Sequence, residues 1–212
     1  MLLPTLPPEL EALARYRNNL VAFAEDCVFT LDQADRWQPV KPWPREKPYL
    51  PFVLSQIRDE SLVAIVKHRR LFLTWALCTV FTHDAIFFEG RFNALVSKKE
   101  EDSDDLVRRC KFIYDNIPSA VLPLKPRCEY KYCTLTFPEI NSTIKGVAQG
   151  PDQLRQYTCS RVGCDEFAVW PQARATFVAL KPTIEGGGKI CLISTRWPGF
   201  FKELVEDTIE AA

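Results

Sequence analysis

Short apolar, β-branched runs alternate with stretches of helical periodicity along this chain, and this alternation predicts an α/β fold. The clearest predicted strands lie at Val63–Val66, Val162–Glu166 and Lys189–Thr195, and each of them ends in polar residues or leads directly into them. Further predicted strands lie at Ala85–Phe88 and Ala94–Ser97, with a strand pair at Cys128–Phe137 and Ser142–Val147. We therefore expect a mostly parallel central sheet flanked by helices, with an antiparallel hairpin addition.

The periodicity also predicts helices and a boundary near residue 48. Residues 8–31 have the spacing of one amphipathic helix, and Pro7 and Pro8 are typical of a helix start. A segment rich in proline and aromatic residues follows over 35–51 and leads into a helical turn at Phe52–Ile57. Later helices are predicted at Trp75–Phe81 and from Glu100 to about Asn116, where acids occupy the first turn. We expect an N-terminal helix and arm over 1–48 and a core domain over 49–212.

Composition narrows the function classes only slightly. The 212 residues include 27 basic and 27 acidic side chains, so any contact with nucleic acid must come from local patches. The eight cysteines form no C-x-x-C pair and there are two histidines, which argues against a zinc site or a disulfide scaffold. No apolar run is long enough to span a bilayer, and no leader pattern is seen. We expect a soluble cytoplasmic protein with reduced thiols.

The strongest candidate for chemistry is the loop that joins the strand at 63–66 to the helix at 75–81. Loops of this kind bind phosphate, because backbone N–H groups and the positive end of the helix dipole point at the anion. The loop departs from G-x-x-x-x-G-K-S/T, since Phe72 and Leu73 stand where glycine and lysine are usual. Lys67 and Arg70 could supply the missing charge, although a solvated basic strand end is an equal alternative. The candidate nucleotide-binding residues are Gln56, Lys67, His68, Arg69, Arg70, Leu71, Phe72, Leu73 and Thr74.

Two later strand ends offer complementary groups. Asp165 and Glu166 follow an apolar run, and splitting a nucleoside triphosphate needs one carboxylate at magnesium and another at the attacking water. Ser194 and Thr195 end a strand that follows three glycines, where polar groups can sense a γ-phosphate. Either feature alone also occurs in ordinary strands and turns.

The aromatic residues of the arm have two possible roles. Trp37, Trp43 and Tyr49 lie between prolines, in a segment that leads through the helical turn at Phe52–Ile57 to the basic loop. They either cover a hydrophobic edge or form a flat platform for adenine, and the sequence leaves both alternatives open.

From about residue 49 to 204, these features resemble the ATPase domain of phage terminase large subunits, the motors that package double-stranded DNA. The segment Lys67–Trp75 looks like a deviant Walker A loop whose lysine comes early, and Cys164–Glu166 looks like a Walker B strand. Between and after them, in the order of the family, come Val96–Lys99, Gly146–Arg155, Ile193–Thr195 and Pro198–Gly199.

The resemblance implies an additional-strand P-loop ATPase fold that uses ATP and Mg²⁺. It implies that Lys67 and Arg70 contact phosphates and that Thr74 and Asp165 bind magnesium. Glu166 would act on the attacking water, and Arg155 would reach a neighbouring subunit's site as an arginine finger, unless it is a surface or DNA-contacting arginine. Ser194 and Thr195 would couple hydrolysis to movement.

The resemblance also implies partners and a setting. These are double-stranded DNA, a portal protein and a small terminase subunit, with a homo-oligomeric ring on the procapsid in the host cytoplasm and no membrane. Terminases carry a nuclease domain after the motor, and 18 residues follow Ser194 here, so we expect no DNA cleavage by this chain. The rival classes are a nucleotide- or DNA-binding module with a decayed loop and a helicase-like ATPase.

Overall fold

The computed structural model describes residues 7–32, 34–68 and 71–210. Its helices are α1 Pro8–Asn18, α2 Leu20–Cys27, α3 Leu50–Asp59, α4 Leu73–Phe87, α5 Glu100–Asn116, α6 Ala173–Leu180 and α7 Phe200–Glu210. Its strands are β1 Phe29–Leu31, β2 Val40–Pro42, β3 Leu62–Lys67, β4 Phe92–Ser97, β5 Glu129–Lys131, β6 Thr134–Phe137, β7 Ser142–Ala148, β8 Arg161–Asp165 and β9 Lys189–Thr195.

The central sheet has the strand order β3-β9-β8-β4-β7-β6-β5. The pairs from β3 to β7 are parallel, whereas β6 and β5 are added antiparallel, and β1 pairs with β2 in a separate two-stranded sheet. Strand β9 lies between β3, which leads into the basic loop, and β8, which ends at Asp165. The predicted α/β class and the additional strand of the P-loop ATPase fold are therefore confirmed.

Two sequence-based predictions of secondary structure are wrong. The residues expected to form a single helix over 8–31 form α1, α2 and β1 instead. The break between the two helices is at Asn19, which has extended dihedral angles and accepts a hydrogen bond from Ala22 N–H at 2.9 Å. Asparagine is a preferred N-cap, so a new helix starts there. The strand expected at Ala85–Phe88 is instead the end of α4, which is buried along most of its length. A short apolar run cannot distinguish a buried strand from a buried helix.

The antiparallel addition is longer than predicted. The segment Cys128–Phe137 forms two strands, β5 and β6, because the chain turns at Tyr132 and Cys133, where Cys133 has φ 54°. The strands predicted near 63–66, 94–97, 162–166 and 189–195, and the acidic helix from Glu100 to Asn116, are confirmed.

Packing on both faces of the sheet holds α4 against β8. One buried cluster joins α1, α2, α3, α4 and α5, and a second lies on the other face with α6 and α7. Gly163 in β8 allows the close approach of α4, since a Cβ atom there would lie 2.8 Å from Phe81 Cζ. This contact sets where the first turn of α4 lies relative to the end of β8.

The N-terminal arm packs on the core. Phe23 of α2 and Trp43 are almost fully buried in the cluster that contains α4, whereas Trp37 is 99% exposed. The boundary near residue 48 stays a prediction. Among the helices of the described ranges, none is both long enough and apolar enough to cross a bilayer.

Candidate functional site

The carboxyl ends of three neighbouring parallel strands bring the predicted site residues together. Lys67 ends β3 and pairs in register with Thr195 of β9, and Asp165 ends β8 opposite Ile193. Residues about 100 positions apart in the chain therefore meet at one edge, where parallel sheets bind their ligands.

Lys67 is the centre of this cluster. Its Nζ atom lies 3.0 Å from Asp165 Oδ1 and donates a 3.2 Å hydrogen bond to Thr74 Oγ1. It also lies 3.2 Å from Glu166 Oε1. The lysine and aspartate side chains are 8% and 12% exposed, so their attraction is little screened by solvent.

Thr74, in the first turn of α4, completes the contact between the two strands. Its hydroxyl lies 3.3 Å from Asp165 Oδ1 and 3.2 Å from Oδ2. Three oxygen atoms of a hydroxyl and a carboxylate thus converge beside the loop, and oxygen is the donor that Mg²⁺ prefers. Among the described residues, two carboxylates, Asp165 and Glu166, lie beside the ammonium of Lys67.

The loop reaches α4 through Phe72, which has φ 58° and ψ 8° and is the residue before the first helical position. This is the left-handed region that glycine adopts readily, and a bulky residue held there costs about 1–3 kcal/mol. The predicted departure from the glycine-lysine pattern therefore falls on a position whose backbone has the conformation typical of glycine. The first N–H groups of α4 have no helical acceptor and face the loop, as in anion sites.

Glu166 differs from Asp165 in its exposure. It too has a positive φ, of 52°, which turns the chain out of β8, and its side chain is 41% exposed. Its Oε2 atom lies 3.5 Å from the hydroxyl of Thr195. The fully buried Ser194 accepts a 3.0 Å hydrogen bond from Ala168 N–H, which connects β9 to the segment after Glu166.

Other predicted site residues lie elsewhere. Arg155 is 67% exposed and pairs with Asp152 at 3.1 Å, on a cleft of about 1170 Å³ beside α6. Gln56 lies in α3, next to Ile57 and Arg58, whose carbonyl groups bind Arg161 at the start of β8. The structure does not bring either residue to the lysine cluster, and their roles stay predictions. His68 is exposed at the beginning of the loop, and Arg69 and Arg70 lie outside the described residues.

Two contacts were not expected from the sequence. Trp170 Nε1 donates to the Asp165 carbonyl at 3.1 Å, and the Tyr49 hydroxyl donates to the Leu71 carbonyl at 3.1 Å. Tyr49 belongs to the segment over 35–51 that is rich in aromatic residues, and that composition was the available signal. The sequence contained no signal for the Trp170 contact, because a 3₁₀ turn at Phe167–Val169 brings this residue back to β8.

Comparison with solved structures identifies the fold. The large terminase of bacteriophage HK97 matches with a TM-score of 0.70 and 11% identity, over 92% of this chain and 41% of that one. A large terminase from a thermophilic bacteriophage matches with a TM-score of 0.57 and 14% identity, over 80% of this chain and 44% of that one. This chain has the fold of the large terminase ATPase domain.

A mutant ATPase domain of the large terminase of Thermus phage P74-26 aligns over 71% of this chain and 67% of its own length. Its TM-score is 0.51 and its identity 16%, so the common feature is the fold rather than the sequence. This chain spans less than half the length of the other two terminases, from HK97 and the thermophilic bacteriophage. No family model and no curated protein matches it.

Proposed function

We propose that this chain is the ATPase motor domain of a phage large terminase, which hydrolyses ATP to drive double-stranded DNA into a procapsid. The observation that carries the proposal is the convergence of Lys67, Thr74, Asp165 and Glu166 at the first turn of α4. These are the groups that the chemistry requires, and they meet in the fold of terminase ATPase domains.

Lys67 and the loop bind the triphosphate. The lysine takes the place of the missing lysine at position 73, because its ammonium already lies beside the first turn of α4. The N–H groups at the start of that helix add donors for the phosphate oxygens. Arg70 is the second candidate for the same charge.

Thr74 and Asp165 would hold Mg²⁺, since the Thr74 hydroxyl lies within hydrogen-bonding distance of both Asp165 carboxylate oxygens beside the loop. When bound, the metal neutralises charge on the phosphates. Lys67, which contacts one of these carboxylate oxygens, would offer its ammonium to the nucleotide phosphates.

Glu166 orients and deprotonates the attacking water. Its partial exposure allows water to reach the carboxylate, and its backbone turn aims it away from the strand. The contact with Thr195 links this carboxylate to the end of β9, so Ser194 and Thr195 couple hydrolysis to movement.

The further partners follow from the same proposal. They are double-stranded DNA, the portal protein and a small terminase subunit, in a homo-oligomeric ring that works in the host cytoplasm. Arg155 fits a role in trans, because its guanidinium is exposed and lies outside its own lysine cluster.

Steady-state ATP turnover with and without double-stranded DNA tests the proposal, comparing the wild type with Glu166→Ala. We expect Mg²⁺-dependent turnover that DNA stimulates and that the variant loses. Equal background rates in both proteins would favour the rival class, a nucleotide- or DNA-binding module, which Phe72 in place of glycine supports.

Mixing variants tests the role of Arg155. Arg155→Ala subunits keep their own pocket, and Glu166→Ala subunits keep their arginine, so mixed oligomers should regain part of the activity that each lacks alone. No recovery in oligomers shown to be mixed would mean that Arg155 does not serve a neighbour's site.

A further inference from the structure

The segment before α3 contacts the loop at two consecutive residues. The Tyr49 hydroxyl donates to the Leu71 carbonyl at 3.1 Å, and Lys47 Nζ lies 5.4 Å from the centre of the Phe72 ring. The two partners are joined by one peptide bond, the one that leads into the left-handed residue at the start of α4.

The hydroxyl bond sets the direction of that peptide. In a planar trans peptide the C=O and N–H groups point in opposite directions. A bond that draws the Leu71 carbonyl towards Tyr49 therefore turns the Phe72 N–H away from the arm. In the described part of the chain, no hydrogen bond from this N–H is seen, whereas the Phe72 carbonyl accepts from Ala76 N–H at 2.9 Å as the first bond of α4.

Glycine is usual at this position because it adopts a positive φ without strain. Phe72 does not have that freedom, so its conformation must be held by its surroundings. Tyr49 and Lys47 supply such contacts, and burial raises the pKa of the Tyr49 hydroxyl, which stays protonated and able to donate at neutral pH.

We propose that Tyr49 is a positioning residue that aims the Phe72 N–H at the nucleotide phosphates, in place of the glycine that the loop lacks. The proposal rests on the proposed function, because it needs the loop to bind phosphate. It adds a residue of the arm to the site and gives the aromatic of the arm a role other than stacking on adenine.

Calorimetric titration of the Tyr49→Phe variant tests the positioning role. The three probes are ATP with Mg²⁺, inorganic tripolyphosphate with Mg²⁺, and adenosine. The ring stays and only the hydroxyl is lost. We expect affinity for ATP and tripolyphosphate to fall about tenfold each, the scale of one hydrogen bond to a charged group, with adenosine unaffected. Turnover should show the same rise in KM.

Tyr114→Phe is the matched control. The Tyr114 hydroxyl also donates to a backbone carbonyl, that of Pro126 at 2.7 Å, on the loop after α5. The Tyr114→Phe variant should bind all three probes like the wild type. An equal loss of tripolyphosphate affinity in both variants would overturn the proposal, because it would reflect general loosening of the fold.

The remaining outcomes separate the two proposals. If the wild type binds tripolyphosphate and Tyr49→Phe binds it equally well, the positioning role is wrong and the proposed function stands. If Tyr49→Phe weakens adenosine and spares tripolyphosphate, Tyr49 contacts the nucleoside and the positioning role is again wrong. If the wild type binds neither ATP nor tripolyphosphate, the proposed function fails and this inference with it.

Discussion

The two ends of α4 each carry a buried carboxylate paired with a cation from another element. At the start of the helix, Asp165 contacts Lys67, while near its end Asp84 lies 3.0 Å from Arg161 Nε and accepts a 3.0 Å hydrogen bond from Asn93. By burial alone the two pairs look alike, with the carboxylate side chains 12% and 4% exposed. Strand β8 even supplies one partner to each, Arg161 at its start and Asp165 at its end.

The two ion pairs differ in the charged groups that surround them. At the Asp165 end, two carboxylates face one ammonium among the described residues beside the loop, and one of these carboxylates, Glu166, is partly exposed. At the Asp84 end, two guanidinium groups, of Arg161 and Arg91, face one carboxylate, and Arg161 is also bonded to two carbonyl groups of α3. We expect the pair beside the loop and the partly exposed Glu166 to act on a ligand, and the pair that Arg161 ties to the carbonyl groups of α3 to stabilise the fold.

Removing the charge of Lys67 should have the largest effect of these changes, and the effect should be on ATP turnover. Lys67→Gln keeps a hydrogen-bond donor towards Asp165 but loses the charge that offsets the triphosphate, so turnover should fall at least about 10³-fold. Steady-state ATPase assays, expressed per folded molecule, measure it. Lys189→Gln is the control, since Lys189 Nζ binds carbonyl groups at the far edge of the sheet. A wild-type rate in Lys67→Gln would move the role to Arg69 or Arg70.

Breaking the pair of Asp84 with Arg161 near the other end of α4 should lower stability rather than turnover. Asp84→Asn leaves two guanidinium groups without a carboxylate, which should lower the free energy of unfolding by about 3 kcal/mol, as for other broken buried pairs. Urea denaturation measures the loss, and turnover per folded molecule should be unchanged. Asp115→Asn, which removes an exposed pair with Lys111, should cost less than about 0.5 kcal/mol. Equal losses of unfolding free energy in Asp84→Asn and Asp115→Asn would mean that the buried pair stabilises the fold no more than an exposed one.

At the Asp165 end, variants of the two carboxylates, Asp165 and Glu166, should separate nucleotide binding from hydrolysis. Glu166→Gln keeps the shape of the side chain and loses the base, so turnover should fall about 10²-fold while Mg-ATP still binds. Asp165→Asn should instead weaken Mg²⁺-dependent binding in titrations. Two variants that both bind and turn over like the wild type would place this pair outside the active site.

The smallest effect concerns His83, next to Asp84. Burial lowers the pKa of His83 to about 4, and its Nε2 donates to the Tyr16 carbonyl at 2.8 Å. Because the unfolded state takes up the proton near pH 6.5 and the folded state resists it, stability should fall as the pH drops from 7 to 5, by about 1–2 kcal/mol. Urea denaturation at both pH values measures it, with His83→Phe as a control that removes this part of the slope. An unchanged slope in the variant would mean that His83 is not responsible.

The sequence by itself determined the class of the fold and the candidate residues of the site. The period of apolar residues and the polar groups at strand ends were enough to predict a largely parallel sheet with Lys67, Thr74, Asp165 and Glu166 as candidates. These signals are local, because they depend on which residues follow one another in a strand or turn.

Only the tertiary structure decided which of these groups meet, and through which partners. Strand order places β9 between β3 and β8, and Gly163 lets α4 approach until Thr74 contacts Asp165. The bond from Tyr49 to Leu71 spans 22 residues and has no periodic signature. The sequence also did not predict that α4 continues from Ala85 onwards, because burial on all sides removes the polar face by which a helix is recognised.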